Sequence, residues 1–165
     1  MLIQNRWDWF STSFTPDVRL YSDIVSILTT SPELATMKSL TSGTLALGLQ
    51  PISTNLVNAG KTRGGNALGL SSVNQTWFVL DSGWWNPSDD VTVHNSTRTL
   101  INKVEQSSRR RGKYVEYIFA NDASWDQDVI GHYGAGNVKK MKDVQRKYDP
   151  DLVFQKLVPG GFKLH

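Results

Sequence analysis

Residue types able to carry chemistry crowd into Asn121-Asp122-Ala123-Ser124-Trp125-Asp126-Gln127-Asp128. Asp122, Asp126 and Asp128 form an acidic cluster that suits either cation binding or acid–base work, and equally the capping of turns and of the helix that follows. Trp84, Trp85 and Trp125 are aromatic side chains able to wall a flat organic ligand, the alternative being core and contact surface. The three histidines, His94, His132 and His165, lack metal-ligand spacing, so no metal site is expected. With no cysteine in the chain, thiolate ligands, cysteine nucleophiles and disulfides are excluded. No serine stands in a nucleophile-elbow context, so no Ser/His/Asp triad can be argued. Gly64-Gly65-Asn66-Ala67-Leu68-Gly69 resembles a phosphate cradle only in composition. A P-loop needs a glycine five places before its Gly-Lys pair, and Asn55 stands there.

Periodicity assigns the elements that must position these residues. Thr15-Pro16-Asp17 starts a helix over 16–30 with Leu20, Tyr21, Ile24, Val25, Ile27 and Leu28 on its apolar face, ending before Ser31-Pro32. Leu45, Leu47 and Leu49 alternate with Thr44, Ala46 and Gly48, which predicts a strand closed by Pro51 and close packing on its small-residue face. The Gly/Asn/Ser-rich stretch from there to Thr76 reads as a long loop. A strand over 77–80 and a helix from Ser88-Asp89-Asp90 to Gly112 follow, the helix carrying Val93, Leu100, Ile101 and Val104 inward. Residues 113–119 alternate so that Val115, Tyr117 and Phe119 share a face, the clearest strand pattern in the chain. After a loop over 121–137, Val138, Met141, Val144 and Tyr148 predict a short amphipathic helix ending at Asp149-Pro150. Trp7, Trp9 and Phe14 suggest one further strand before the first helix. The fold class is α+β, an antiparallel sheet covered by helices, in one compact unit.

Bulk properties narrow the class of partner. A net charge of +3 is mild, and the only dense basic cluster, Arg109-Arg110-Arg111 with Lys113, suits a helix C-terminus, so no nucleic-acid partner is expected. No apolar run is long enough to span a bilayer, so no membrane partner is expected. Met1 to Trp7 lack the apolar core of a signal peptide, whereas Asn74-Gln75-Thr76 and Asn95-Ser96-Thr97 are sequons usable in the secretory pathway.

The run from Asn121 to Gly134, with Asn137-Val138, Lys147-Tyr148-Asp149-Pro150 and Phe154 to Leu164, resembles the closing segment of berberine-bridge-enzyme-like oxidoreductases, FAD-linked oxidases of the vanillyl-alcohol-oxidase type. The resemblance extends more weakly back through Gly64 to Leu70 and the first helix. It implies that residues 1–112 are part of a substrate-binding domain and that residues 113–165 are the berberine-like C-terminal segment. It further implies a preceding FAD-binding domain of the PCMH type, absent here, on which the C-terminal helix and tail would dock. The expected activity is transfer of hydride from an organic small-molecule substrate to flavin, with dioxygen as electron acceptor, in a secreted parent enzyme; this fragment alone is expected to be inactive.

The family's Tyr-x-Asn-Tyr is matched here by Phe119-Ala120-Asn121-Asp122, so the resemblance gives Asn121 a flavin-proximal role, its amide donating to and accepting from flavin polar atoms. Asp122 replaces the second tyrosine, a base in several members, and becomes the candidate catalytic residue. Trp84, Trp85 and Trp125 remain the candidate substrate walls. The alternative from another class is a non-enzymatic ferredoxin-like module that binds a ligand or dimerises. Such a module has no need of the tail after Asn121.

Overall fold

The computed structural model describes residues 6–164. Strand β1 (Arg6–Phe14) is central. It pairs along its whole length with β3 (Gln75–Trp84), which pairs on its other side with β2 (Thr44–Ile52); the short β4 (Tyr114–Val115) joins β1 at Ser13 and Phe14. The sheet is antiparallel throughout, in the order β2-β3-β1-β4. That order, with helices in the crossovers, is the split β-α-β arrangement of ferredoxin-like folds, so topology by itself carries no functional argument.

One face is covered by helices α1 (Val18–Thr30), α2 (Pro32–Ser39) and α4 (Asp90–Arg110). Alternation directs Phe10, Phe14, Phe78 and Leu80 to this side, where they meet Leu20, Ile24, Leu28, Leu100, Ile101 and Val104 in the main core. Asp17 caps α1 by accepting from the Leu20 amide at 2.9 Å, so the helix begins at Val18 rather than within Thr15-Pro16. Pro32 at the first turn opens α2 immediately after α1 ends.

Three expectations need correction. The stretch between β2 and β3 holds a helix, α3 (Thr54–Thr62), started by the Ser53 hydroxyl, which accepts from Leu56 N–H at 3.2 Å; its short apolar content hid it among Gly and Asn. The strand expected over 113–119 survives only as Tyr114–Val115, because the Tyr117 N–H turns back to the Val115 carbonyl at 2.8 Å and peels the chain off β1. Alternation in burial is kept only through Tyr117: Val115 and Tyr117 join Trp77, Val129 and Tyr133 in a second core on the other face of the sheet, but Ile118 is buried there too and Phe119 only partly so. The small residues of β2 do not meet close packing along their length, since Thr44 and Ala46 are exposed.

Helix α5 (Ala135–Tyr148) buries none of its residues fully. Met141 leans on the second core, while Val144 and Tyr148 are exposed, beside the short α6 (Val153–Lys156) with its exposed Phe154. No helix among the described residues is long and apolar enough to cross a membrane.

Candidate active site

The segment from Ala120 to Asp128 runs beside the edge of β1 that β4 leaves unpaired. There the Gln127 side-chain amide takes the place of a neighbouring strand, its Oε1 accepting from Ser11 N–H at 3.0 Å and its Nε2 donating to the Ser11 carbonyl at 2.8 Å. The same Oε1 accepts from Ser124 N–H at 3.1 Å. Nearer the start of β1, the buried Asp8 carboxylate accepts from Trp9 N–H at 2.9 Å and from the Ser124 hydroxyl at 3.1 Å, and pairs with Nδ1 of His94. His94 Nε2 lies 3.0 Å from Asp126 Oδ2, and Arg98, one turn further along α4, pairs with the same carboxylate. The Asp126 Oδ1 is buried without a partner.

These contacts fix where Asn121 and Asp122 sit. The second core covers one half of the sheet face opposite the helices, around Ser13, Trp77 and Ile52. The other half is open. Its rows, set by strand register, are Trp7-Gly83-Thr44 and Trp9-Asp81-Ala46, bearing Trp7 at 54% and Trp9 at 39% exposure, and the next row, Ser11-Val79-Gly48, is already covered at Ser11 and Val79. Glycine at 83 is required by close approach, since a Cβ there would come within 2.9 Å of the Trp7 ring. Asp122 is 8% exposed and accepts from the Gln50 amide, which projects from β2 beside Trp77 at the border between the two halves. Asn121 is exposed at the same border, and its amide has no hydrogen-bond partner among the described residues.

The aromatic residues divide. Trp84 is buried with Met37 and Val93, its indole N–H donating to Asp90 at 2.8 Å, yet it contributes to a cavity of about 720 Å³ together with Trp7, His94 and Trp125. Trp125, 79% exposed, stacks on His94 with ring centroids 5.4 Å apart. Trp85 is half exposed and does not line that cavity. Asp126 joins the His94 network, while Asp128 caps its own turn by accepting from Gly131 N–H at 2.9 Å. The roles of His94 and Asp8 were not legible in the sequence, because α4 and β1 bring them to the segment from more than thirty residues away, and Gln127 in the segment acquires its role only through Ser11 of β1.

Beneath this region Trp77, Tyr117 and Tyr133 stack with centroid separations of 5.0 and 5.7 Å. Burial pushes the Tyr117 and Tyr133 phenols above their ordinary range, so both are neutral packing groups at physiological pH.

The open half-face offers an aromatic and small-residue floor at Trp9 and Ala46 with the Asp81 carboxylate between them, and an unpaired amide stands at its border. Phosphate groups find no comparable seat at Gly64 and Gly65. Those glycines follow the C-terminus of α3, where carbonyls rather than N–H groups point outward and the dipole is negative.

No family model matches the chain. Among curated proteins it is 35% identical over 159 residues to the bifunctional solanapyrone synthase of Alternaria solani, covering 96% of this chain and 30% of that protein. It is 34% identical over 160 residues to an FAD-dependent monooxygenase of Cochliobolus heterostrophus, covering 94% of this chain and 31% of the relative. A further FAD-dependent monooxygenase, from Arthrobotrys oligospora, is 40% identical over 113 residues, 68% of this chain and 22% of the relative. These three relatives are fungal enzymes, two of them FAD-dependent by name, and the chain spans less than a third of their length.

Proposed function

We propose that this chain forms part of an FAD-dependent oxidoreductase of the berberine-bridge-enzyme-like, PCMH-type group, in which the open half-face of the sheet lies over the flavin ring. The observation that carries the reading is the identity of 34% over 94% of the chain to an FAD-dependent monooxygenase of which the chain covers 31%. The geometry supports it with a flat uncovered face bordered by Asn121 and Asp122.

Bound FAD supplies an acceptor for hydride from an organic substrate, dioxygen being the final electron acceptor. The chain's own residues orient the reactants and hold the proton. Asn121 presents its amide to the polar edge of the ring. Asp122, steadied by Gln50, takes the proton of a substrate hydroxyl as the adjacent carbon is oxidised. Trp7 and Trp9 exclude water from the floor, while Trp84 and Trp125 form aromatic walls of the cavity beside His94 and Trp85 stands outside it. The phosphates and the greater part of the cofactor belong to a separate FAD-binding domain docked against α5 and the tail, and the parent enzyme passes through the secretory pathway.

Asp122→Asn in the flavin-loaded protein, followed by anaerobic stopped-flow reduction with substrate, tests the assignment. A rate fall of about a hundredfold or more, with loss of the acidic limb of the pH profile, is the expected result. An unchanged rate and pH profile would remove Asp122 from the reaction.

A further inference from the structure

His94 has no part in the chemistry described above, yet it joins three elements. On α4, it meets Asp8 of β1 through Nδ1 and Asp126 of the site segment through Nε2. Its ring lies between two aromatic neighbours, Phe10 at 5.1 Å and Trp125 at 5.4 Å between centroids. Asp8 in turn holds the Ser124 hydroxyl, and Arg98 closes the ring of contacts on Asp126. Ser124 and Asp126 are the second and fourth residues after Asp122, and together with Gln127 they make the described polar attachments of that segment to β1 and α4.

We propose that His94 is a positioning residue whose imidazole clamps the Asn121–Asp128 segment against β1, so that Asn121 and Asp122 stand at the border of the open face. The inference rests on the functional reading above only for what the clamp serves; the clamp itself is a property of this chain. The charged groups facing the imidazole are Asp8 from β1, Asp126 from the segment and Arg98 from its own helix. Arg98 reaches Nε2 at 2.9 Å, so imidazole, guanidinium and the Asp126 carboxylate form one linked set. The exposed Trp125 ring, stacked on His94, moves with the segment.

Hydrogen exchange on the 165-residue chain, read by mass spectrometry, tests this without any flavin. His94→Ala should raise exchange of the 120–128 peptide about tenfold while the β3 peptide 76–82 stays constant, and His94→Gln, whose amide can still donate and accept, should restore part of the protection. Unchanged exchange of 120–128 in His94→Ala, or a rise shared equally by 76–82, overturns the proposal. A second arm separates it from the flavin reading: in the flavin-loaded protein, His94→Ala should slow flavin reduction and His94→Gln should recover part of the rate, and a clamp seen by exchange with no flavin bound in any form would sink the flavin reading alone.

Discussion

The side-chain amide of Gln127 makes both hydrogen bonds that a neighbouring strand would offer Ser11, at 2.8 and 3.0 Å. A single side chain thereby ends the sheet at a point where β4 has already peeled away. Gln127→Leu keeps the volume but orphans a buried N–H and a buried carbonyl of β1 as well as the Ser124 amide. A loss of about 2–4 kcal/mol in stability is expected, measured as a lowered urea midpoint with unchanged slope.

Asp23 on α1 accepts from Arg111 at 2.7 and 2.8 Å and from Ser107 at 2.5 Å. The Arg111 guanidinium, followed by the Ser107 hydroxyl, lowers its pKa to about 2. A carboxylate depressed in the folded state stabilises above its unfolded pKa and ceases to do so as pH falls through the folded value. Stability should therefore decline between about pH 4 and pH 2, and Asp23→Asn should flatten that part of a thermal-midpoint profile.

Gly69 has φ of 71°, and a Cβ there would run into the Tyr133 carbonyl. This contact seats the Gly-rich loop on the segment between the second core and α5. Gly69→Ala should cost about 1–3 kcal/mol or more, with increased exchange at residues 64–70 and 133–137 ahead of β1 and β3.

Asn121 offers the opposite case. Its amide is exposed and lacks a partner among the described residues, so Asn121→Ala should change chain stability by less than about 0.5 kcal/mol. In the flavin-loaded protein the same change should shift the visible flavin spectrum and slow reduction. A stability loss larger than the spectral effect would make Asn121 a structural residue.

Most elements were legible because their signals are local. The spacing of Leu100, Ile101 and Val104 states period and face directly, and the alternation of Leu45, Leu47 and Leu49 states the strand, although Leu47 and Leu49 stay exposed. The helix over 54–62 was not, since only Leu56 and Val57 mark its apolar side and Gly60 and Asn58 read as loop. The strand expected through Phe119 failed for a tertiary reason: alternation fixes which side chains go inward, but the partner strand's edge is taken by Gln127, 116 residues from Ser11. The same separation hides the site's scaffold. Asn121, Asp122 and Trp125 stand out in the chain, whereas His94 and Asp8 acquire meaning only when β1 and α4 converge on Asp126. The inward face expected of α5 also reflects a local signal without its context, because Val144 and Tyr148 line an open groove of about 650 Å³ with Phe154 and Phe162.

The most direct measurement is the flavin content of the product of the complete reading frame that contains this chain, purified and assayed by visible absorbance and by FAD release on denaturation. One FAD for each polypeptide, bleached by an oxidisable organic substrate without air and restored by dioxygen, is the predicted result, with little or no FAD retained by the 165 residues alone. A colourless product that takes up no FAD on reconstitution would contradict the assignment.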